Sequence, residues 1–284
     1  MADKNNSGEL SGHLDFASLA GLILAMAGIL GGLFLEGGRA SDVAQVTAAL
    51  IVLGGTLGAV MLTTPSRLLF AALRRAKDVF WETTPSATVV IEQLLEFARQ
   101  ARRSGIVSLE RDADALADPF LRKALSLAVD GTDLQDLRRI MELEIELAER
   151  RGEAEAKVFE TAGGYAPTIG IIGAVLGLIQ VMKHLEDIER VGHGIAVAFV
   201  ATVYGIALAN LVLLPAGNKL KARLAQALEF KELMLEGVIG IAEGMNPKLL
   251  ERKLEAFLGT AFDPDAAVDR EAPVKASSRA AAAR

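Results

Sequence analysis

The chain has 284 residues, of which 51% are hydrophobic and 23% are charged, and its net charge is −6. It has no cysteine, which excludes disulfides, thiol nucleophiles and cysteine-ligated metals, and with only three histidines we expect no histidine-centred metal site. The basic residues are interleaved with more numerous acids, which argues against binding to nucleic acid. This mixture is typical of a membrane protein with a large charged soluble part.

Four long runs without Asp, Glu, Lys or Arg form two pairs, separated by a charged middle segment; they cover residues 16–35, 43–66, 161–182 and 191–218. Each reaches the ~20 residues with which a helix crosses a ~30 Å hydrocarbon core, and none has the polar face of a water-soluble helix. The first run is too long, and its flank too little basic, for a signal peptide. We therefore predict an all-α integral membrane protein with four transmembrane helices and a helical cytoplasmic domain between helices 2 and 3.

The distribution of Lys and Arg predicts the orientation in the membrane. Only Arg39 lies between the first two runs, and only Lys183 and Arg190 lie between the last two. All other basic residues fall at the N-terminus, in the middle segment or after the fourth run. By the positive-inside rule, both termini and the middle segment lie in the cytoplasm.

These observations divide the chain into six predicted segments. They are a cytoplasmic N-terminus (1–15), transmembrane helices 1 and 2 with a short periplasmic loop (16–66), a cytoplasmic helical domain (67–160), transmembrane helices 3 and 4 with a short periplasmic loop (161–218), cytoplasmic helices (219–262) and a tail (263–284). The tail has too few large apolar side chains to offset the entropy of ordering, so we predict that it is disordered.

The charged middle segment reads as a series of amphipathic helices. We predict helix starts at Thr84-Pro85, at Pro119 and at a capping box over residues 132–135. We predict that the last of these helices continues into the third run through the charged stretch 149–155, and that the charges of this stretch form a solvent-exposed face.

Small residues recur three or four positions apart inside the runs, as in helices whose backbones approach closely in lipid. Two interpretations stay open: packing within one chain, and packing against other subunits or a partner helix. Gly170 and Gly205 belong to this pattern. The positions that we assign to helix packing are Gly28, Gly32, Gly54, Gly58, Gly173 and Gly177.

No Asp, Glu, Lys or Arg lies in any of the four runs, although proton or sodium translocation normally needs an ionisable group within the membrane. If this chain conducts ions, the carboxylate must come from another polypeptide, or hydroxyls and carbonyls alone line the path. Thr168, Thr202 and Tyr204 are among the few polar residues at membrane depth. A buried threonine usually donates its hydroxyl to the carbonyl four residues back, which for Thr202 is that of Ala198.

Four stretches together resemble the bacterial flagellar stator subunits of the motility protein A (MotA/PomA) family. They read YAPTIGIIGAVLGL over residues 165–178, AFVATVYGIALAN over 198–210, ARRSGIVSLE over 101–110 and AVDG over 128–131. The resemblance extends over roughly residues 16–258. It implies an inner-membrane ring, taken to be a pentamer, around two copies of a single-span MotB/PomB-type partner that is anchored to peptidoglycan and supplies the ion-binding aspartate. Ion flow would turn the ring, which pushes the switch protein of the rotor's C-ring.

The resemblance also implies roles for single residues within the membrane. Pro167 and Pro215 match prolines that couple ion movement to conformational change, although Pro215 taken by itself reads as a helix terminator. Thr202 matches the threonine facing the partner's aspartate, and we assign Thr168 and Tyr204 to the same path. Ala174 stands where sodium-driven members carry a threonine, and because alanine offers no oxygen ligand, the sequence favours H+ over Na+ as the translocated ion.

The resemblance places rotor contact at Arg102 and Glu110, with Arg103 as the adjacent alternative to Arg102. The competing interpretation of these three residues is ordinary surface charge.

Three other functions remain alternatives. One is an ExbB/TolQ-type proton-channel subunit that energises envelope processes, although that type has three spans and an outside N-terminus. Another is a membrane scaffold that conducts nothing. The third, a membrane enzyme, lacks any nucleophile–base set, metal cluster or phosphate loop in the sequence. We therefore expect no catalytic residue, no metal and no cofactor.

Overall fold

The structure is a computed structural model that describes residues 13–82 and 87–260. The predicted disordered tail, most of the predicted N-terminal segment and the predicted helix start at Thr84-Pro85 lie outside the described residues. The described residues are almost entirely helical. The exception is one antiparallel pairing of two-residue strands, β1 (His13–Leu14) and β2 (Trp81–Glu82), with His13 opposite Glu82. The predicted all-α class is confirmed.

Within the described residues, four helical segments are long and apolar enough to cross a membrane: Phe16–Leu35, Ala40–Thr63, Leu134–Lys183 and Ile188–Ala242. Each contains one of the four charge-free runs or most of it, which confirms the prediction of four transmembrane helices. The first is α1 (Phe16–Leu35), and its N-terminus is capped by Asp15, whose side chain accepts from the backbone N–H of Ser18.

The second and fourth spans are interrupted helices. The second consists of α2 (Ala40–Val43), α3 (Val46–Ala49), a π-helical turn (Leu50–Gly54) and α4 (Gly55–Thr63). The fourth consists of α10 (Ile188–Ala207), a second π-helical turn (Leu208–Leu213) and α11 (Leu214–Ala242). Such π turns are frequent at functional sites.

The remaining helices connect and follow the spans. A short helix, α5 (Ser66–Arg75), and a 3₁₀ turn (Ala76–Val79) follow α4. Then come α6 (Ala87–Ser104), a 3₁₀ turn (Ile106–Leu109), α7 (Glu110–Ala115), α8 (Pro119–Val129) and the third span α9 (Leu134–Lys183); α12 (Pro247–Thr260) follows α11.

The described residues form two compact units, one within 1–84 and 148–225 and one within 85–147 and 226–284. The second unit has a continuous apolar core that α6, α7, α8, α12 and parts of α9 and α11 enclose. The predicted helix start at Pro119 is confirmed, with Asp118 as its N-cap. Gly105 follows the last residue of α6 with a φ of +82°, and Gly131 lies in the turn after α8 with a φ of +75°. Glycine adopts both values without strain. The largest fully buried core residues include Leu94, Leu109, Leu121, Leu125, Leu137, Met141, Met234 and Leu250.

The structure corrects two expectations, one about the exposure of Glu155 and one about Pro215 as the end of a helix. Glu155, which we placed on a solvated face, is only 6% exposed and lies 3.0 Å from Nε of Arg75. Pro215 does not terminate a helix, because the chain continues from the π turn through α11. The π turn lies directly before Pro215, where its ring crowds the preceding helical turn and where its missing N–H leaves a carbonyl unpaired.

Candidate functional site

The first unit contains a tight contact between α9 and α10 that three glycines create. A Cβ at Gly170 would lie 2.9 Å from the carbonyl oxygen of Ala201, and one at Gly205 would lie 2.5 Å from that of Ala166. A Cβ at Gly177 would lie 2.8 Å from the backbone nitrogen of Ala198. Since these neighbours are backbone atoms, the helices approach this closely only because the residues are glycine.

The predicted helix-packing glycines divide into two groups. Gly173 and Gly177 contact α10, and a Cβ at Gly173 would lie 2.7 Å from Cβ of Ala201. The sequence analysis missed Gly194, which packs against α9 near Val181, although Ala198 follows it at the same spacing of four. At the other four positions a Cβ would meet nothing within 4 Å, so their assignment to helix packing stays a prediction; they are Gly28, Gly32, Gly54 and Gly58.

The residues assigned to the ion path partly gather at this contact. A Cβ on Gly205 would lie 3.2 Å from Cα of Pro167, and one on Gly170 would lie 3.5 Å from Cα of Thr202. Pro167 and Thr202 therefore lie on the two facing helices at the level of the glycine contact. Pro215 is ten residues beyond Gly205, or about 15 Å along a helix, so the structure does not bring it to this place.

The two threonines donate their hydroxyl protons within their own helices. Thr202 donates to the carbonyl of Ala198 at 3.2 Å, as predicted, and Thr168 donates to that of Tyr165 at 2.8 Å. Thr202 is half-buried and Thr168 is exposed. Each oxygen therefore keeps lone pairs with which it can accept a hydrogen bond from water or from a partner's group.

Tyr204 points away from Thr202, because residues two apart on a helix do not share a face. Its hydroxyl donates to the carbonyl of Val43 at 2.5 Å and accepts from the backbone N–H of Gln45 at 3.4 Å. These groups flank the break between α2 and α3. The Tyr204 hydroxyl therefore joins the second span to the fourth.

The predicted rotor-contact residues form an exposed corner of the second unit. Arg102 and Arg103 end α6, and Glu110 begins α7. All three are exposed, and within residues 13–82 and 87–260 none of them has an ion-pair partner. The turn between them is held by the fully buried Leu109.

Gln100 also holds this corner, and the sequence analysis missed it. Its side-chain amide donates to the carboxylate of Asp112 at 2.7 Å and to the carbonyl of Ser108 at 3.2 Å. A glutamine near the end of an amphipathic helix carries no sequence signal for such a role, because its partners lie eight and twelve residues away.

A buried charge cluster at the start of α1 is a second feature that the sequence did not indicate. The Asp15 carboxylate lies 2.5 Å from Nζ of Lys219 and 2.9 Å from a guanidinium nitrogen of Arg223. Arg223 also donates to the carbonyls of Asp78 and Trp81. The hydrogen bond from Lys219, with that from the N–H of Ser18, holds the pKa of Asp15 far below its ordinary value of 3.8, although burial acts in the opposite direction.

Among the described residues, no group of three His, Cys, Asp or Glu side chains is arranged to hold a metal ion. What the arrangement offers instead is a close helix pair with two threonine oxygens, and an exposed charged corner in the other unit.

Comparisons with known proteins agree over nearly the whole chain. Residues 112–232 match the MotA/TolQ/ExbB proton channel family, and residues 19–105 match the motility protein A N-terminal family. The motility protein A of Bacillus subtilis (strain 168) is 38% identical over 249 residues, which cover 86% of this chain and 91% of that protein.

Two solved structures are similar as well. The structure of C. jejuni MotAB has a TM-score of 0.83 and 35% identity, covering 88% of this chain and 98% of the matched chain. The flagellar MotAB stator complex from Bacillus subtilis has a TM-score of 0.81 and 36% identity, covering 91% and 100%.

Proposed function

Because the chain belongs to the motility protein A family within the MotA/TolQ/ExbB proton channels, we infer that it is a stator subunit of the flagellar motor. It is a multi-pass membrane protein that forms a proton channel with a MotB-type partner, and ion flow through the complex generates torque on the rotor. The near-complete coverage of the MotAB stator structures supports this function over the ExbB/TolQ-type alternative and over a scaffold that conducts nothing.

One observation carries the mechanism: the four charge-free runs contain no carboxylate, while oxygens at Thr168 and Thr202 keep free lone pairs. A proton that crosses here needs a titrating acid at membrane depth. The partner supplies that acid, and the ion path runs between the partner's helix and the face that carries Thr202. The threonine oxygen holds a water molecule or accepts a hydrogen bond from the protonated acid.

The translocated ion is a proton. Ala174 is half-buried on α9, one residue beyond the contact of Gly173 with α10. Its methyl group offers nothing to a sodium ion, which prefers oxygen ligands.

Coupling between ion movement and shape change is assigned to Pro167. This residue lies inside the continuous helix α9, directly against Gly205. A proline within a helix removes one backbone hydrogen bond, which leaves the carbonyl of Gly163 without its usual partner and allows bending. A bend there changes the α9–α10 contact at the level of Thr202. Pro215, preceded by a π turn, is the second flexible point.

The assembly is a ring of five copies around the partner, in the bacterial inner membrane with both termini in the cytoplasm. The exposed glycines Gly28, Gly32, Gly54 and Gly58 provide faces for contacts between subunits. Arg102, Arg103 and Glu110 contact the rotor switch protein, which their exposure and the absence of ion-pair partners among the described residues support.

The test is proton flux through the complex in proteoliposomes. The chain together with its partner, freed of the segment that plugs the channel, is expected to acidify the lumen under an imposed potential. The chain alone, and the complex whose partner carries Asn in place of the intramembrane Asp, are expected to conduct nothing. Flux through the chain alone would refute the inference that the partner supplies the titrating acid. No flux through the unplugged complex would refute the inference that the complex is a channel.

A further inference from the structure

The helix α5 (Ser66–Arg75) turns away from the second span. The two residues between α4 and α5 are extended, with φ and ψ of −121° and 127° at Thr64 and −55° and 137° at Pro65. The helix therefore does not continue the direction of α4. Its inner face is occupied, because Ala72 is fully buried and Leu68 and Leu69 pack beside it.

The packing partners of α5 show at which depth it lies. Ala72 belongs to one apolar cluster with Val158 on α9, and Phe159, Ala162 and Tyr165 pack against that cluster. On α9 the last charge before the membrane is Glu160, and the charge-free run begins directly after it. The helix α5 therefore lies at the level where α9 enters the membrane.

The outer face of α5 combines apolar and basic side chains. Phe70 and Leu73 are 62% and 56% exposed, although both are large and apolar. Arg67 and Arg74 are exposed as well, and their spacing of three, four and seven places them on the same side as Phe70. A basic amphipathic helix of this kind typically lies in a membrane interface.

Several other basic residues of the first unit, though not all of them, are paired within the chain. Arg75 lies 3.0 Å from the Glu155 carboxylate, and Lys221 lies 2.6 Å from that of Glu160. In contrast, neither Arg67 nor Arg74 has an acidic partner in the part of the chain that the structure describes. Both guanidinium groups can therefore bind an anionic group of another molecule.

We propose that α5 lies in the cytoplasmic surface of the membrane and binds anionic phospholipids, with Arg67 and Arg74 on the headgroup phosphates and Phe70 and Leu73 among the acyl chains. The proposal rests on the inferred cytoplasmic placement of the charged middle segment. The cytoplasmic leaflet is anionic, which complements two unpaired arginines. The exposed apolar side chains continue the surface of α4, where Leu62 is among the most exposed residues. A second copy of the chain is a poorer occupant, because burying two uncompensated charges costs several kcal/mol.

The absence of cysteine allows a direct test with a single label. Bimane is attached to Leu73→Cys in the full chain, reconstituted in phosphatidylcholine vesicles with about 10% brominated lipid. Quenching by the brominated acyl chains with protection from aqueous iodide supports the proposal. Quenching by iodide places the face in water, and protection from both quenchers places it under a second copy; either result overturns the proposal. Labels at Leu62→Cys and at Val107→Cys provide the lipid-exposed and water-exposed references.

The anionic preference is tested with brominated phosphatidylglycerol against brominated phosphatidylcholine. One basic residue near an anionic surface corresponds to about a fivefold preference, so the Arg67→Gln/Arg74→Gln pair should lower the ratio of the two quenching constants at least about fivefold. The Arg67→Lys/Arg74→Lys pair, which keeps both charges, should retain most of the wild-type ratio. The control pair Arg139→Gln/Arg252→Gln removes two exposed arginines of the other unit and should change nothing.

A ratio that survives the Arg67/Arg74 pair, or that falls equally in the control pair, overturns the proposal. Quenching of the Leu62→Cys label in each variant shows that the spans have inserted. None of these readouts depends on proton flux, so a failure of the lipid site and a failure of the channel assignment remain distinguishable.

Discussion

Gln100 on α6 donates its side-chain amide to the Asp112 carboxylate on α7 at 2.7 Å. The bond closes the corner that presents Arg102 and Arg103 on one side and Glu110 on the other. An uncharged side chain thus sets the spacing of the charges assigned to rotor contact.

Replacing Gln100 by Leu is expected to loosen this corner. The change removes two partly buried hydrogen bonds and leaves the Asp112 carboxylate without that donor, which costs about 1–2 kcal/mol. We expect faster amide hydrogen exchange over residues 106–115 and slower rotation of tethered cells at normal protein levels. The control is Gln135→Leu, an exposed glutamine of the same unit. If Gln100→Leu exchanges like the wild type, the positioning role of Gln100 is wrong.

Charge reversal at Glu110 tests the rotor contact itself. Because the residue is exposed and makes no ion pair within the described residues, Glu110→Lys should cost less than about 1 kcal/mol of stability. Torque should nevertheless fall strongly, while expression and membrane insertion stay normal. Glu92→Lys, an exposed position on α6, serves as the matched reversal. Normal swimming of the Glu110→Lys cells would show that this corner does not contact the rotor.

The α9–α10 contact predicts that Gly205→Ala is damaging. The new Cβ would lie 2.5 Å from the carbonyl oxygen of Ala166 and 3.2 Å from Cα of Pro167. Backbone atoms cannot move aside as side chains do, so overpacking should cost about 1–3 kcal/mol or more. The thermal unfolding midpoint in detergent should fall, and proton flux with the partner should fall with it.

Gly192→Ala is the control for this substitution. Gly192 is also on α10, and a Cβ there meets no other atom within 4 Å. Alanine is a better helix former than glycine by about 1 kcal/mol, so this variant should be as stable as the wild type or slightly more so. Equal effects of the two substitutions would contradict the close contact at Gly205.

The Asp15 cluster predicts a pH dependence of stability with a defined sign. Its pKa is lowered in the folded protein, so the folded state binds fewer protons than the unfolded state. The stabilisation is therefore complete above the ordinary value of 3.8 and is lost as the pH falls through the folded pKa.

Asp15→Asn should retain the helix cap but leave Lys219 and Arg223 without their carboxylate, at a cost of about 2–3 kcal/mol at neutral pH. The difference in unfolding free energy between wild type and variant should be constant above pH 5 and should shrink below pH 4. Asp187 caps α10 and pairs with Arg190 on the surface, so Asp187→Asn should cost less than about 1 kcal/mol. A difference for Asp15→Asn that is unchanged at low pH would exclude the ion pair as its cause.

Ala174 predicts that motility does not depend on sodium. Swimming speed should stay constant when external sodium is replaced at constant pH and osmolality. Ala174→Thr should not by itself create a sodium-dependent motor, because one hydroxyl does not complete a coordination shell. Loss of swimming on removal of sodium from wild-type cells would overturn proton coupling.

Much of the architecture follows from local properties of the chain. A span needs only length and the absence of charge, so all four spans were predictable from residue order. The helix start at Pro119 was equally predictable, because capping depends on adjacent residues. The Thr202–Ala198 hydrogen bond is local as well, since its two residues lie one helical turn apart.

What depends on the packing of distant segments was not predictable. Glu155 looked solvated because its neighbours in sequence are charged, yet α5 brings Arg75 to it and buries it. Asp15 finds its cations 204 and 208 positions away, and nothing near it in sequence indicates them.

The sequence by itself determined that this chain crosses a membrane four times and lacks an acid there, because hydrophobicity and charge are properties of each segment alone. Only the tertiary structure decided which glycines touch a neighbouring backbone, where the Tyr204 hydroxyl binds and which arginines remain unpaired. Those features depend on which helix lies opposite, and the packed fold alone determines that.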